Sequence, residues 1–227
     1  MGKKARKFIM KQSINFIGCV LLTITGCGQP TNSFLMERGD YAMWQGRWAD
    51  ATDDFRAAAE MHPGDWRAQY GLGQCLLKID EPQQASQALT IAESLRPNNT
   101  AIADMLAVAL LKSGDNNRLY SFLLARAQKH QTVHAWTRMA EYSLDLDDPD
   151  SATDAINIAI AISNKTDATP YITAATIAEK LGDDALAITR WRQAWHIDPD
   201  NEQIDSALRS HGEVPGPTMT GSVDDSK

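Results

Sequence analysis

Large apolar residues recur along the chain at a nearly constant interval. Phe55, Leu89, Leu123, Ile156 and Trp191 are separated by 34, 34, 33 and 35 positions. Three further series of mostly small residues repeat with the same steps: Gly39, Gly73, Ala107, Ala140 and Ala175; Ala51, Ala85, Leu119, Ala152 and Ala187; Ala58, Ala92, Arg126, Ala159 and Ala194. Several series that share one irregular interval indicate a structural unit copied five times.

Short polar segments divide each unit in two. They read QGRW, IDEP, SGDN, LDDP and LGDD, and they follow the same interval. Their Gly, Asp, Asn and Pro residues favour turns, and Pro82 and Pro149 stand where a helix can begin without a backbone N–H. Alternating runs of β-branched residues, which would favour strands, are scarce. Each unit is therefore predicted to be a helix–turn–helix hairpin, and the fold class to be all-α.

The interval and the pattern resemble the tetratricopeptide repeat. The first unit carries Gly39, Ala51, Phe55, Ala58 and Pro63 at the positions that the family fills with small residues, a large apolar residue and a terminal proline. Over residues 33–200 the resemblance implies a right-handed α-solenoid of about five such repeats, followed by a C-terminal capping helix.

The third repeat departs most from the family pattern. Leu119 and Arg126 replace two small residues, and Gln131 replaces the terminal proline. Its second helix is therefore predicted to pack differently from those of the other repeats.

Two terminal segments complete the predicted organisation. Residues 201–212 read as an amphipathic helix with Ile204 and Leu208 facing the last repeat, which supplies the polar cap that such arrays require. The Pro-, Gly- and Ser-rich tail has little to bury and is predicted to be disordered.

The predicted bounds are a signal peptide at 1–26, a lipidated cysteine and tether at 27–32, a solenoid at 33–211 (repeats 33–65, 66–98, 99–131, 132–165 and 166–200, cap 201–211) and a tail at 212–227.

The chain begins with the charge pattern of an export signal. Five basic residues and no acidic one accompany the apolar segment SINFIGCVLLTITG. This segment is shorter than the ~20 residues that cross a bilayer, and its basic start is typical of a signal peptide. An N-terminal anchor helix with an incidental cysteine is the alternative interpretation. Met10 is an alternative start, because the segment that follows it is itself a complete short signal.

The sequence Ile24-Thr25-Gly26-Cys27 resembles the bacterial lipobox. The resemblance implies transfer of diacylglycerol to Cys27, cleavage after Gly26 and acylation of the new amino terminus, with palmitate as the expected label. Two or more acyl chains hold a protein on a membrane stably. Gly28 stands in place of the aspartate that resembles an inner-membrane retention signal. We therefore expect a lipoprotein of the bacterial cell envelope, in the outer rather than the inner membrane.

The charge of the chain disfavours nucleic acid as a partner. The net charge is −7, and removal of residues 1–26, which carry five basic residues and no acidic one, lowers it by five to −12. An acidic body repels phosphate backbones. Cys75, the one cysteine after position 27, stands among apolar residues, so we expect a buried thiol rather than a reactive one.

Catalytic, metal and cofactor motifs are missing from the sequence. His130 and His134 are one helical turn apart in number, but a helix break is predicted between them, which disfavours a metal site. Asp53-Asp54 and the acidic segment 145–150 lack the spacing of a calcium loop and are interpreted as acids at helix starts. We therefore expect no enzymatic activity, no cofactor and no small-molecule substrate. An enzyme with an unrecognised site is the alternative from another class.

The first helix of each hairpin lines the concave face in tetratricopeptide arrays, and this resemblance assigns a candidate groove for proteins or peptides. Exposed aromatic and Met side chains are typical of adaptable binding surfaces, and Arg67 and Lys78 are interpreted as a basic pair beside them. In the alternative interpretation, half of these side chains pack under neighbouring helices. The predicted groove residues are Met36, Met43, Trp44, Arg67, Tyr70, Gln74, Lys78, Asp104, Leu111, His134 and Glu141, and the same mapping adds Asp40, Leu77, Val108, Lys112, Thr137 and Asp145.

Together these features predict a non-catalytic, membrane-anchored lipoprotein that acts as a protein–protein interaction adaptor in the assembly of envelope complexes. Lipoproteins of this build resemble assembly factors of pili and secretion machines, including tight-adherence pilus assembly lipoproteins. A scaffold for cell-wall hydrolases or their regulators is the alternative prediction.

Overall fold

The protein is built from consecutive helical hairpins. A computed structural model describes residues 30–216, and all regular structure in that range is α-helix. This confirms the predicted all-α fold. The helices are α1 (Asn32–Trp44), α2 (Trp48–Met61), α3 (Trp66–Lys78), α4 (Pro82–Leu95), α5 (Thr100–Ser113), α6 (Asn116–His130), α7 (Val133–Asp145), α8 (Pro149–Ile162), α9 (Thr169–Lys180), α10 (Asp184–Ile197) and α11 (Glu202–Ser210).

Several predictions about the two ends concern residues outside the described range. The signal peptide at 1–26 and Cys27 lie outside it, as do residues 28–29 of the tether and 217–227 of the tail. Helix α1 begins at Asn32, the last residue assigned to the tether. A helix break separates His130 from His134, as predicted, because α6 ends at His130 and α7 begins at Val133.

The turn inside each hairpin follows the same interval as the core residues. Each of these turns contains one residue with left-handed backbone, with φ between 61° and 77°. Glycine adopts this conformation without steric cost, and aspartate tolerates it better than most residues. The chain therefore reverses at an equivalent place in every hairpin, at Gly46, Asp80, Gly114, Asp147 and Gly182.

A large residue on the second helix of each hairpin fills the core. Each is the eighth residue of its helix, and none is more than 4% exposed. The equivalent placement follows directly from the repeat interval and confirms that the hairpins are copies of one unit. The five residues are Phe55, Leu89, Leu123, Ile156 and Trp191.

Glycines on the first helices provide the space for these large residues. A Cβ atom at Gly39 would lie 3.0 Å from the Phe55 ring, and one at Gly71 would lie 2.8 Å from it. A Cβ atom at Gly73 would lie 2.4 Å from Cγ of Leu89. Phe55 thus lies between α1 and α3, so one side chain joins the first hairpin to the second.

The third hairpin departs from the others where its sequence does. Arg126 replaces a buried alanine and is itself only 9% exposed. Its Nη1 donates a hydrogen bond to the carbonyl oxygen of Pro97 at 2.7 Å and lies 3.8 Å from Oε1 of Glu93. Helices α5 and α6 pack against each other less extensively than the helices of the other hairpins, in agreement with the predicted difference.

The last helix covers the end of the array. Ile204 and Leu208 of α11 are fully buried, which confirms the capping helix. The buried apolar residues form two clusters, one mainly from α1 to α8 and one from α9 to α11, and Ile160 of α8 packs against both.

The interpretation of Asp53 and Asp54 as acids at a helix start is wrong. Both lie in the middle of α2, where Asp54 is buried and accepts hydrogen bonds from Arg38 of α1, and Asp53 pairs with Arg56 at 3.2 Å. In the second acidic segment, by contrast, Asp148 caps α8 by accepting a hydrogen bond from the backbone N–H of Ser151. Asp54 instead joins the two helices of the first hairpin.

Cys75 is expected to react slowly in the native protein. Its side chain is fully buried, and burial, with the charge of Asp40, raises the pKa of its thiol to about 11. The thiolate is therefore scarce at neutral pH. We expect Ellman's reagent at pH 8 to modify the Cys75 peptide about 100-fold more slowly in the native chain than in guanidinium, as measured by mass spectrometry. Equal rates would contradict a buried thiol.

Candidate partner-binding groove

The first helices of the hairpins, α1, α3, α5, α7 and α9, lie on the inner side of the array. Helix α1 packs on α3, α3 on α5 and α7 on α9, whereas the even-numbered helices of the described range share no comparable contact. All predicted groove residues belong to α1, α3, α5 and α7. They therefore lie on the four inner helices that the resemblance assigned to the groove.

An aromatic pair stands at the end of α1. Trp44 is 80% exposed, and its ring stacks on Tyr41 with 5.8 Å between the ring centroids. Met36 and Met43 of the same helix are half-buried and pack against the core. Tyr41 is absent from the predicted groove, although its position three residues before Trp44 places both side chains on one helix face.

Tyr70 and Gln74 continue the groove on α3. Both side chains are half-buried. Burial, together with the negative charge of Asp104 on α5, raises the pKa of Tyr70. The hydroxyl of Tyr70 therefore stays protonated at physiological pH and lies within electrostatic range of the next inner helix.

A charged cluster joins α5 to α7. We use this name for Asp104, His134, Arg138 and Glu141. Oδ1 of Asp104 accepts a hydrogen bond from Nε of Arg138 at 3.1 Å and lies 3.2 Å from Nε2 of His134. Nη1 of Arg138 donates to Oε2 of Glu141 at 2.6 Å. The structure thus brings together three predicted groove residues around one arginine that was not predicted.

Arg138 organises this cluster. Burial by itself would lower its pKa, but its hydrogen bonds to Glu141 and Asp104 outweigh burial and raise the pKa above the usual range. Its guanidinium carbon also lies 5.9 Å from the ring centroid of Tyr142. Arg138 follows Asp104 by 34 positions, so the repeat interval was the signal that could have identified it.

The predicted basic pair does not form. Arg67 lies in the first turn of α3 and pairs with Asp65 at 3.2 Å. Lys78 is the last residue of α3, and its ammonium nitrogen lies 5.6 Å from the ring centroid of Trp48. Because eleven residues of helix rise ~16 Å, the two charges lie at opposite ends of the helix.

One other predicted position is covered by neighbouring helices. Thr137 is 4% exposed and cannot line a groove, so the structure favours its interpretation as a packing residue. Leu111 is half-buried and packs against the core, as Met36, Met43 and Tyr70 do.

Metal-type clusters and membrane-spanning helices are absent from the described part of the chain. Within residues 30–216, His, Cys, Asp and Glu side chains form no group of three or more that could hold a metal ion. Over the same range no helix has the length and hydropathy needed to cross a membrane.

The chain is similar in sequence and fold to tetratricopeptide proteins. Residues 42–107, from α1 into α5, match the family model of the tetratricopeptide repeat. Comparison with curated protein sequences gives no match.

Three solved structures illustrate the similarity of fold. A MamA fragment from Desulfovibrio magneticus RS-1 is 13% identical, with a TM-score of 0.58 over 75% of this chain and 97% of the other. TTC0263, a thermophilic TPR protein of Thermus thermophilus, is 16% identical, with a TM-score of 0.53 over 80% and 98%. YrrB, described as a TPR protein with an unusual peptide-binding site, is 14% identical, with a TM-score of 0.54 over 82% and 94%. The match at 42–107 and the five equivalent hairpins show that the chain has the helical-repeat solenoid fold of tetratricopeptide proteins.

Proposed function

We propose that this protein is a non-catalytic adaptor, anchored in the bacterial envelope by lipid on Cys27, that holds a protein or peptide partner in the groove formed by α1, α3, α5 and α7. The observation that carries the proposal is the exposure of Trp44, at 80%, beside Tyr41 on an inner helix. Exposed Trp and Tyr side chains supply much of the binding energy in protein interfaces when a partner covers them.

The two parts of the groove suit two kinds of contact. Tyr41 and Trp44 offer an aromatic surface to an apolar side chain of the partner. The charged cluster offers hydrogen-bonding atoms held in place by Arg138, which favours specificity over affinity. That YrrB has a peptide-binding site on a similar fold supports a peptide as the partner.

The proposed anchor would hold the array close to the bilayer. Cys27 precedes the first helical residue, Asn32, by five positions, and an extended chain of that length reaches less than ~20 Å. We place the protein in the outer membrane, because Gly28 follows the cysteine. We propose that the adaptor serves the assembly of pilus or secretion complexes, with scaffolding of cell-wall hydrolases as the second candidate.

Substitution of Trp44 and Tyr70 by alanine is expected to abolish partner capture without loss of helicity. The measurement is photo-cross-linking in the native cell followed by mass spectrometry, with circular dichroism as the test of folding. A matched control is the double variant Ile91→Ala and Leu186→Ala, which removes exposed apolar side chains from outer helices. If both double variants capture the same partners as the native chain, the groove is not the binding surface.

The identity of the captured proteins separates the two candidate pathways. Pilus or secretion components among the cross-linked products would support the assembly role. Cell-wall hydrolases or their regulators would support the scaffold.

The variant Cys27→Ser is expected to lose the lipid anchor. Without the thiol, diacylglycerol transfer cannot occur, so we expect loss of radiolabelled palmitate and accumulation of an uncleaved precursor. Fractionation of the envelope then reports whether the native protein resides in the outer membrane. Persistent labelling of Cys27→Ser would refute the proposed anchor. Cys75→Ser serves as the control and is expected to retain the label.

A further inference from the structure

A pocket of about 510 Å³ lies between the outer helices α8 and α10, next to the loop that joins α8 to α9. None of its residues belongs to the predicted groove. Its polar lining consists of Asn157, Asn164, Lys165, Tyr171, Arg190 and Gln193. A volume of this size falls in the range of ~300–1,000 Å³ that is typical of sites for organic ligands.

The pocket lies beside the longest connection between hairpins. Residues 163–168 make a six-residue connection, whereas the other connections between hairpins have four residues or two. Asn164 and Lys165 both adopt left-handed backbone, with φ of 52° and 60°. The boundary between the two buried apolar clusters, at Ile160, falls at the same connection. Asn164 and Lys165 of this connection line the pocket together with residues of α8, α9 and α10.

Arg190 is the central feature of the pocket. Its side chain is half-buried, and its hydrogen bond goes to a neutral amide, from Nη1 to Oε1 of Gln193 at 3.0 Å. Within the described range no carboxylate pairs with it, whereas the part-buried Arg126, Arg138 and Arg192 each have one. Burial lowers the pKa of Arg190, as expected for a cation that has lost water without gaining a counter-ion.

The other lining groups also favour an anion. Among residues 30–216, no acidic side chain lines the pocket, although the chain as a whole has a net charge of −7. The side-chain amide of Asn157 is exposed at the pocket and has no hydrogen-bond partner among residues 30–216. Ile160 and Ala161 add an apolar wall beside these polar groups.

We propose that this pocket binds an organic carboxylate that carries an apolar group, either the free C-terminus of a peptide or a small acid. The guanidinium of Arg190 would pair with the carboxylate, for which its planar fork of donors is suited. The apolar group would lie against Ile160 and Ala161. The site is separate from the groove and does not depend on the lipid anchor.

The test is an NMR titration of the ¹⁵N-labelled full chain with N-acetyl-leucine. We expect saturable shifts centred on Nε of Arg190 and the side-chain amide of Gln193, and none with the neutral N-acetyl-leucine amide. Arg190→Gln is expected to weaken binding about tenfold or more, the loss typical of a charge-assisted hydrogen bond. Arg118→Gln, which removes an exposed arginine from the outer helix α6, is the control and is expected to bind as the native chain does.

A further variant separates loss of binding from loss of folding, and a further ligand identifies the source of the carboxylate. Asn157→Ala changes an exposed position and is expected to weaken binding about threefold while leaving the fold intact. Tighter binding of an N-acetylated pentapeptide ending in leucine would assign the carboxylate to a peptide C-terminus, and equal binding would assign it to a small acid. The proposal is overturned if N-acetyl-leucine gives no saturable shift, if Arg190→Gln binds it equally well, or if inorganic phosphate binds with the same affinity.

Discussion

Replacement of Phe55 by alanine is expected to lower the free energy of unfolding by about 3–5 kcal/mol. Phe55 is 1% exposed, and its ring fills the space left by Gly39 and Gly71. The glycines have no side chains that could move into the cavity, so the helices can close it only by shifting as rigid bodies. Chemical denaturation followed by circular dichroism measures the change.

Phe34→Ala is the matched control for this prediction. It removes the same side chain from α1 at a position that is 50% exposed, and we expect a loss below about 1 kcal/mol. Equal losses for Phe55→Ala and Phe34→Ala would contradict the assignment of Phe55 as the residue that joins the first two hairpins.

Substitution of Ala92 by arginine is expected to lower the free energy of unfolding by at least about 3 kcal/mol. Ala92 is fully buried and is the equivalent, one repeat earlier, of Arg126. Arg126 is tolerated because Glu93 lies nearby and the carbonyl of Pro97 accepts its hydrogen bond. One repeat earlier, the place of Glu93 is taken by Ala59, so an arginine at 92 would lack a carboxylate partner.

A double variant tests that explanation directly. Ala59→Glu combined with Ala92→Arg is expected to be more stable than Ala92→Arg alone, because it transplants the ion pair of the third hairpin. Gln87→Arg, at an exposed position of α4, is the control and is expected to change the free energy of unfolding by less than about 0.5 kcal/mol. If Ala92→Arg were as stable as Gln87→Arg, the repeat would accept a buried cation without a partner.

Features that depend on the repeat interval could be predicted from the sequence. The turn at Gly114 and the buried positions of Leu89 and Trp191 recur every 33 to 35 residues, so each copy supports the assignment of the others. The break between His130 and His134 was predictable for the same reason. These are properties of local structure and of packing between adjacent helices, which the period of apolar residues determines.

Features that depend on side-chain reach could not be predicted in the same way. Arg67 and Lys78 were interpreted as neighbours, but each pairs with a different residue at its own end of α3. Arg138 follows Asp104 by one repeat interval, but the interval gives only its position and not the two carboxylates, on α5 and α7, that its guanidinium reaches. The pocket at Arg190 lies beside the six-residue connection, where the repeat interval is longest. The interval gives the position of each residue but not the direction in which a long side chain extends.

The left-handed residue in every hairpin turn has a consequence for how such a protein can change its length over evolutionary time. Because the chain reverses at an equivalent position in each copy, duplication or deletion of one whole copy would leave the other turns unaltered. The inner surface could therefore grow or shrink in steps of one hairpin. The six-residue connection before α9 is the exception, because a deletion that extends into this connection would also remove Asn164 and Lys165.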